Sequence, residues 1–166
     1  QQLRRIRDIC EFIGTKLGMG EADIALLVRA VPLHDIGSAK VPSAILQKPE
    51  ELEYLERESI KRHTTFGYNI LKDSKRPIIQ LAATLAHQHH ERWDGLGYPN
   101  GMKGEEIALE ARITAIADVF DALYNQRPHK AAWPVEKVVK MIESQSGKHF
   151  DPKIAQILLD NLDQIQ

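Results

Sequence analysis

Six side chains in this sequence are of the types that hold metal ions: the pair His34-Asp35, the lone His63, the doublet His89-His90, and Asp118. Imidazole nitrogens and carboxylate oxygens together form the ligand sets of iron, manganese and zinc sites. Taken singly, each has an ordinary explanation. A histidine beside apolar neighbours is more often hydrogen-bonded core than a ligand, and a polar helical stripe is more often solvated surface. Four separate stretches that each offer a metal-type group make a shared metal pocket the stronger reading.

The elements that must position these groups read as helices. Helical periodicity dominates, and no run alternates as a strand would. The pattern predicts helices over 3–17, 21–35, a short turn at 43–47, a long helix over 49–72, then 77–91, 110–125, 134–144 and 151–162. Gly18 and Gly37 stop the first two, Pro49 and Pro77 suit first helical positions, and Asp151 before Pro152 is an N-cap signal. Between 92 and 110 lies a loop holding Gly95, Gly97, Gly101 and Gly104 and the turn Pro99-Asn100-Gly101.

On the long third helix, Leu52, Leu55, Ile60, Phe66 and Ile70 mark the expected buried face, and His63 lies on or beside it. Leu81 and Leu85 lead to His89 at four-residue steps, and Ala82 and Ala86 lead to His90. Both rings can reach one ion where the helix end unwinds, while His87 is assigned to the surface. Asp118 shares a stripe with Thr114, Asp121 and Asn125, opposite Ile113, Ile116, Phe120 and Leu123; that stripe is expected to face a polar cavity.

At 166 residues and 43% hydrophobic, the chain can build one well-buried core. A formal net charge of −1 provides no basic field, so polymeric nucleic acid is not an expected partner. Cys10 is the one cysteine, which excludes an internal disulfide, suits a reducing cytoplasm and fits core packing between Ile9 and Ile13. No apolar run approaches the ~18 residues that span a bilayer. The opening residues QQLRRIRDIC read as mid-helix, so residues 1–166 are expected to be one domain of a longer chain, preceded by a regulatory region.

In order, PLHDIG, KRHTTFGYNIL, AHQHHERWDGLGYPNG, ARITAIADVFDAL, RPHKAAW and SGKHFDP resemble the HD-GYP domain, a bacterial branch of the HD superfamily of metal-dependent phosphohydrolases. The resemblance runs over nearly the whole chain, and the HHERWDGLGYP block is highly specific. It implies an all-α fold: a single HD-type helical bundle with a Gly-rich loop carrying the GYP motif. It also implies hydrolysis of a cyclic dinucleotide, chiefly cyclic di-GMP and for some members 3′,3′-cyclic GMP-AMP, to a linear dinucleotide or GMP. The metal ligands it implies are His34, Asp35, His63, His89, His90 and Asp118, with Asp35 bridging two ions and with His34 and Asp35 at the catalytic centre. Arg127 and Lys130 would hold substrate phosphate, and Gly97, Tyr98 and Pro99 would border the pocket. Iron or manganese is the implied metal, with zinc or nickel also accepted by such ligands. A second copy of the chain and a diguanylate cyclase are the candidate protein partners.

Two divalent ions acidify a shared water and bind phosphate oxygens, which answers the charge repulsion that protects a phosphodiester. With neutral imidazoles the centre keeps a net positive charge for a doubly anionic substrate. Arg127 can grip phosphate with two parallel bonds, and Lys130 acts as a movable point charge. Trp93 or Tyr98 offers a ring for a guanine to stack on, and Glu91 and Asp94 are candidates to orient the histidine rings. His149 is read as structural.

Three departures from the family pattern stand out. Ser38 follows HDIG where the family often has lysine, Gln2 falls where many members carry an upstream histidine ligand, and His129 replaces a tyrosine. Two metals rather than three are therefore expected. Ser38 and Gln2 also motivate an alternative, a catalytically weak cyclic-dinucleotide sensor or protein-interaction module.

Overall fold

The computed structural model describes residues 1–126 and 130–165, and the elements there are helical. In order they are α1 (Gln2–Lys16), α2 (Glu21–Ala30), α3 (Ser43–Leu46), α4 (Tyr54–Lys61), α5 (His63–Leu71), α6 (Pro77–Gln88), α7 (Leu109–Tyr124), α8 (Val135–Gln145), α9 (Pro152–Asp160) and α10 (Leu162–Ile165). Short 3-10 turns at Val31–Leu33, Ile36–Lys40 and Gly104–Glu106 join them. No described helix is long and apolar enough to cross a membrane.

Apolar residues at helical spacing build the core. Ile6, Ile9, Cys10 and Ile13 of α1 join Leu27 of α2 and Ile113, Ile116 and Phe120 of α7, with Val138, Ile142, Ile154 and Leu158 closing the far side. Ala82, Ala83 and Ala86 on α6 and Ala111 and Ala117 on α7 are small and buried, which lets helix axes approach closely. Burial pushes the Cys10 thiol up to about 12, so it behaves as a packed core residue. Asp151 caps α9 through its bond from the Lys153 amide, and it also accepts from Arg112, 2.7 Å away.

The helix expected over 77–91 ends at Gln88 and that over 151–162 divides into α9 and α10; two others differ more. The second stops at Ala30 rather than at residue 35, because Pro32 has no amide hydrogen for the helical ladder and its ring crowds the preceding turn. His34 and Asp35 therefore sit between two 3-10 turns. The long helix expected over 49–72 is instead two. Glu53 and Glu56 form a capping box that starts α4 at Tyr54, and the ladder is interrupted at Arg62. There the His63 ring bonds back to the Ile60 carbonyl and the Thr64 hydroxyl donates to Lys61, offering the backbone other partners.

The expected buried face of that segment is also corrected. Leu55 is 77% exposed and Ile70 46% exposed, while His63, Thr64, Gly67 and Leu71 point inward. That face is small because the 36–40 turn lies directly on it. A Cβ on Gly37 would overlap the His63 carbonyl and the Gly67 amide nitrogen, so only glycine allows the approach. This glycine contact brings the His34-Asp35 corner to His63.

Candidate metal centre

Three imidazoles are oriented by the same device. The Nδ1 atoms of His34, His63 and His89 lie 2.7, 2.6 and 2.8 Å from the carbonyls of Val31, Ile60 and Leu85, each three or four residues earlier at a helix end. A carbonyl only accepts, so each Nδ1 carries the hydrogen and each neutral ring presents a bare Nε2. All three Nε2 atoms converge on Asp35. His63 and His89 lie 3.3 and 3.2 Å from its Oδ1, and His34 lies 3.2 Å from its Oδ2.

The two oxygens of Asp35 thus face two different groups. Asp35, His63, His89 and His90 form one set that could hold a metal ion, and His34, Asp35 and Asp118 form a second. All six residues named from the sequence are brought together here. The Nε2 atoms of His63 and His89 stand 3.3 Å apart, two lone pairs face to face unless a cation or a proton lies between them. His34 Nε2 is fully buried without a hydrogen-bond partner, 3.2 Å from Asp35 Oδ2. Asp118 reaches within 4.0 Å of the same nitrogen. A buried ring nitrogen without a hydrogen-bond partner, set among carboxylates, fits a divalent cation.

The electrostatics agree with the donor set. Burial alone would depress His34, but Asp35 and Asp118 beside it raise the ring to about 9, so a proton occupies its Nε2 at neutral pH wherever no cation takes that place. Burial would raise Asp35, yet the three imidazoles keep its carboxylate well below the usual range. His90 is pushed down to about 2 by burial and by the neighbouring His89 and His63, so it stays neutral with a lone pair to give. The Asp35 side chain is 47% exposed, which leaves the cluster open to an incoming ligand.

The loop after α6 borders this opening. Tyr98 stacks on His90 with ring centroids 5.0 Å apart and planes 13° from parallel. Burial and the nearby Asp35 push its phenol up to about 12, so it remains neutral. A Cβ on Gly97 would collide with the backbone at His90 to Arg92, which explains the glycine. Pro99 follows through a cis peptide bond and is exposed.

Glu91 and Asp94 do not orient the histidines. Glu91 is buried and accepts from the Asn100 and Met102 amides at 2.8 and 2.9 Å, tying down the loop, and Asp94 pairs with Arg92. Glu91→Gln keeps one neutral acceptor oxygen, so one of those two amides is left facing an NH2 group with no acceptor. It is expected to cost about 2 kcal/mol and lower the melting temperature by roughly 5 °C; an unchanged thermal melt contradicts this role.

Other expected residues fall elsewhere. The Asp118 stripe does not face one cavity: Asp121 is fully buried against Arg5, 2.6 Å away, and Asn125 donates to Asp121. A cavity of about 300 Å³ lined by Arg5, Phe12, Phe120 and Tyr124 contains none of the six clustered residues. His87 is half-buried and stacks on Tyr68 at 4.2 Å rather than standing free on the surface. Arg127 and His129 lie outside the described residues. Lys130 is exposed, with its ammonium 5.2 Å from the centroid of the Trp133 ring. Sequence reasoning does not find the backbone carbonyls that hold the rings; for His34 and His89 their places near predicted helix ends are the available signal, and for His63, inside the predicted 49–72 helix, there is none.

A family model described as HD domain matches residues 1–154. The Thermotoga maritima protein named cyclic di-GMP phosphodiesterase is 46% identical over 147 residues, covering 89% of this chain and 40% of that protein. The Xanthomonas campestris pv. campestris cyclic di-GMP phosphodiesterase response regulator RpfG is 41% identical over 164 residues, 99% of this chain and 43% of that protein. The Vibrio cholerae 3′3′-cGAMP-specific phosphodiesterase 2 is 40% identical over 162 residues, 98% and 31% respectively. The chain spans less than half the length of these curated relatives. Among solved structures, the Bdellovibrio bacteriovorus HDGYP protein Bd1817 shares the fold with a TM-score of 0.75 at 22% identity, over 98% of this chain and 51% of that one. With the family model and these relatives spanning nearly its whole length, the chain belongs to the HD-domain family, in its HD-GYP branch.

Proposed function

We propose that this chain hydrolyses a phosphodiester bond of a cyclic dinucleotide, cyclic di-GMP or 3′,3′-cyclic GMP-AMP, to a linear product, with two divalent ions held by His34, Asp35, His63, His89, His90 and Asp118. The observation that carries it is the convergence of three bare Nε2 atoms on a carboxylate whose two oxygens face separate ligand groups. The names of the relatives, all of them cyclic-dinucleotide phosphodiesterases, support the substrate class. Iron and manganese suit this mixed imidazole and carboxylate set.

Bound there, such ions neutralise phosphate charge and make a nearby water acidic. The chain's own residues supply orientation. Backbone carbonyls keep His34, His63 and His89 in one tautomer, and neutral His90 completes their set. Tyr98, with Gly97 and Pro99, forms a neutral wall beside the opening that does not repel phosphate. Arg127 and Lys130 are the proposed phosphate contacts, Lys130 by leaving the exposed face of Trp133.

The test is to load the protein with iron or manganese, supply each cyclic dinucleotide, and look for linear dinucleotide or GMP. Measurable binding without product from either substrate would overturn the hydrolase reading. Ser38 lies in the 3-10 turn that also carries the Asp35 corner. Ser38→Lys places an ammonium on that turn and is expected to lower KM roughly threefold to tenfold, as one added charge–phosphate contact would. An unchanged or higher KM counts against that position.

A further inference from the structure

We infer that Lys61 is a substrate-binding residue whose ammonium, held over the Tyr98 ring at the mouth of the His/Asp cluster, takes the second phosphate of the cyclic dinucleotide. This rests on the cyclic-dinucleotide reading above and deepens it. The cluster can receive one phosphate, the one to be cleaved; the substrate's other phosphate needs a countercharge some distance away.

Lys61 ends α4, two residues before His63. Its Nζ lies 5.3 Å from the centroid of the Tyr98 ring, which in turn stacks on His90. An ammonium therefore stands one aromatic ring away from the imidazole cluster. Its ion partner is Glu58, 3.2 Å away, and both side chains are about two-fifths exposed. Surface pairs of this kind are weak, so a phosphate can displace the carboxylate. The four-carbon stem lets the charge move without shifting the helix.

What distinguishes Lys61 is the ring it lies over: Tyr98 stacks directly on the clustered His90, whereas Ser38, on the turn beside Asp35, has no charge to offer. Contact through the Tyr98 ring, rather than with Asp35 itself, is what assigns Lys61 to the phosphate that is not cleaved.

The experiment compares wild type, Lys61→Gln and Lys61→Arg, all metal-loaded, on the two cyclic dinucleotides and on bis(p-nitrophenyl) phosphate, a diester with a single phosphate. Lys61→Gln is expected to raise KM for the cyclic dinucleotide about tenfold, with kcat within about twofold and metal content unchanged. KM for the simple diester should stay within about twofold, and Lys61→Arg should restore most of the affinity. Equal KM changes on both kinds of diester, or no change on the cyclic one, would overturn the assignment while leaving the hydrolase reading intact. Cleavage of the simple diester with neither binding nor cleavage of a cyclic dinucleotide would overturn both.

Discussion

Asp35→Asn is expected to purify without bound metal and to turn over a cyclic dinucleotide about 10³-fold more slowly or worse. Asp35 is the one carboxylate shared by both ligand groups, with Oδ1 facing His63 and His89 and Oδ2 facing His34. An amide is nearly the same size but has one acceptor oxygen and no charge. Two imidazole nitrogens 3.3 Å apart would then have no anion beside them to help hold a cation. The fold should survive, because the Asp35 side chain is half-exposed and packs into no core. Elemental analysis alongside a product assay reads both effects; two retained ions with full turnover would refute the ligand assignment.

Gly37→Ala should damage the site from outside it. The added methyl would meet the His63 carbonyl and the Gly67 amide, backbone atoms that no rotamer change can move. Overpacking of this sort costs about 3 kcal/mol, a large part of the 5–15 kcal/mol typical of a domain. The melting temperature should fall by roughly 10 °C. The turn carrying Asp35 would also be pushed off α5, so metal content and turnover should drop together even below the melting transition. Gly67→Ala is the milder control, since its Cβ would meet Ala86 at 3.0 Å, tight but not overlapping backbone. A Gly37→Ala protein with wild-type melting and metal content would show that the glycine contact does not set the site.

The sequence shows the six clustered residues because histidine and aspartate beside apolar helical positions are conspicuous, and because the flanking motifs resemble a known family. The helix ends follow from Pro77, Gly18 and the Asp151-Pro152 cap for the same local reasons that form them. What stays hidden is whatever depends on close packing between distant stretches. Nothing in spacing alone shows that Gly37 meets Gly67, or that Glu91 accepts two loop amides instead of orienting a ring. Likewise Asp121 shares a helical stripe with Asp118, yet a charged partner on α1, Arg5, turns it to another purpose. The break at Arg62 escapes a pattern that reads on through, because the competing bonds come from the His63 ring and the Thr64 hydroxyl.

Anomalous diffraction from a crystal grown with manganese addresses the metal centre most directly. Two peaks are expected, one among His63, His89 and His90 and the other by His34 and Asp118, with the Asp35 carboxylate reaching both. Peaks absent from this cleft in crystals of protein that still cleaves its substrate would contradict the account.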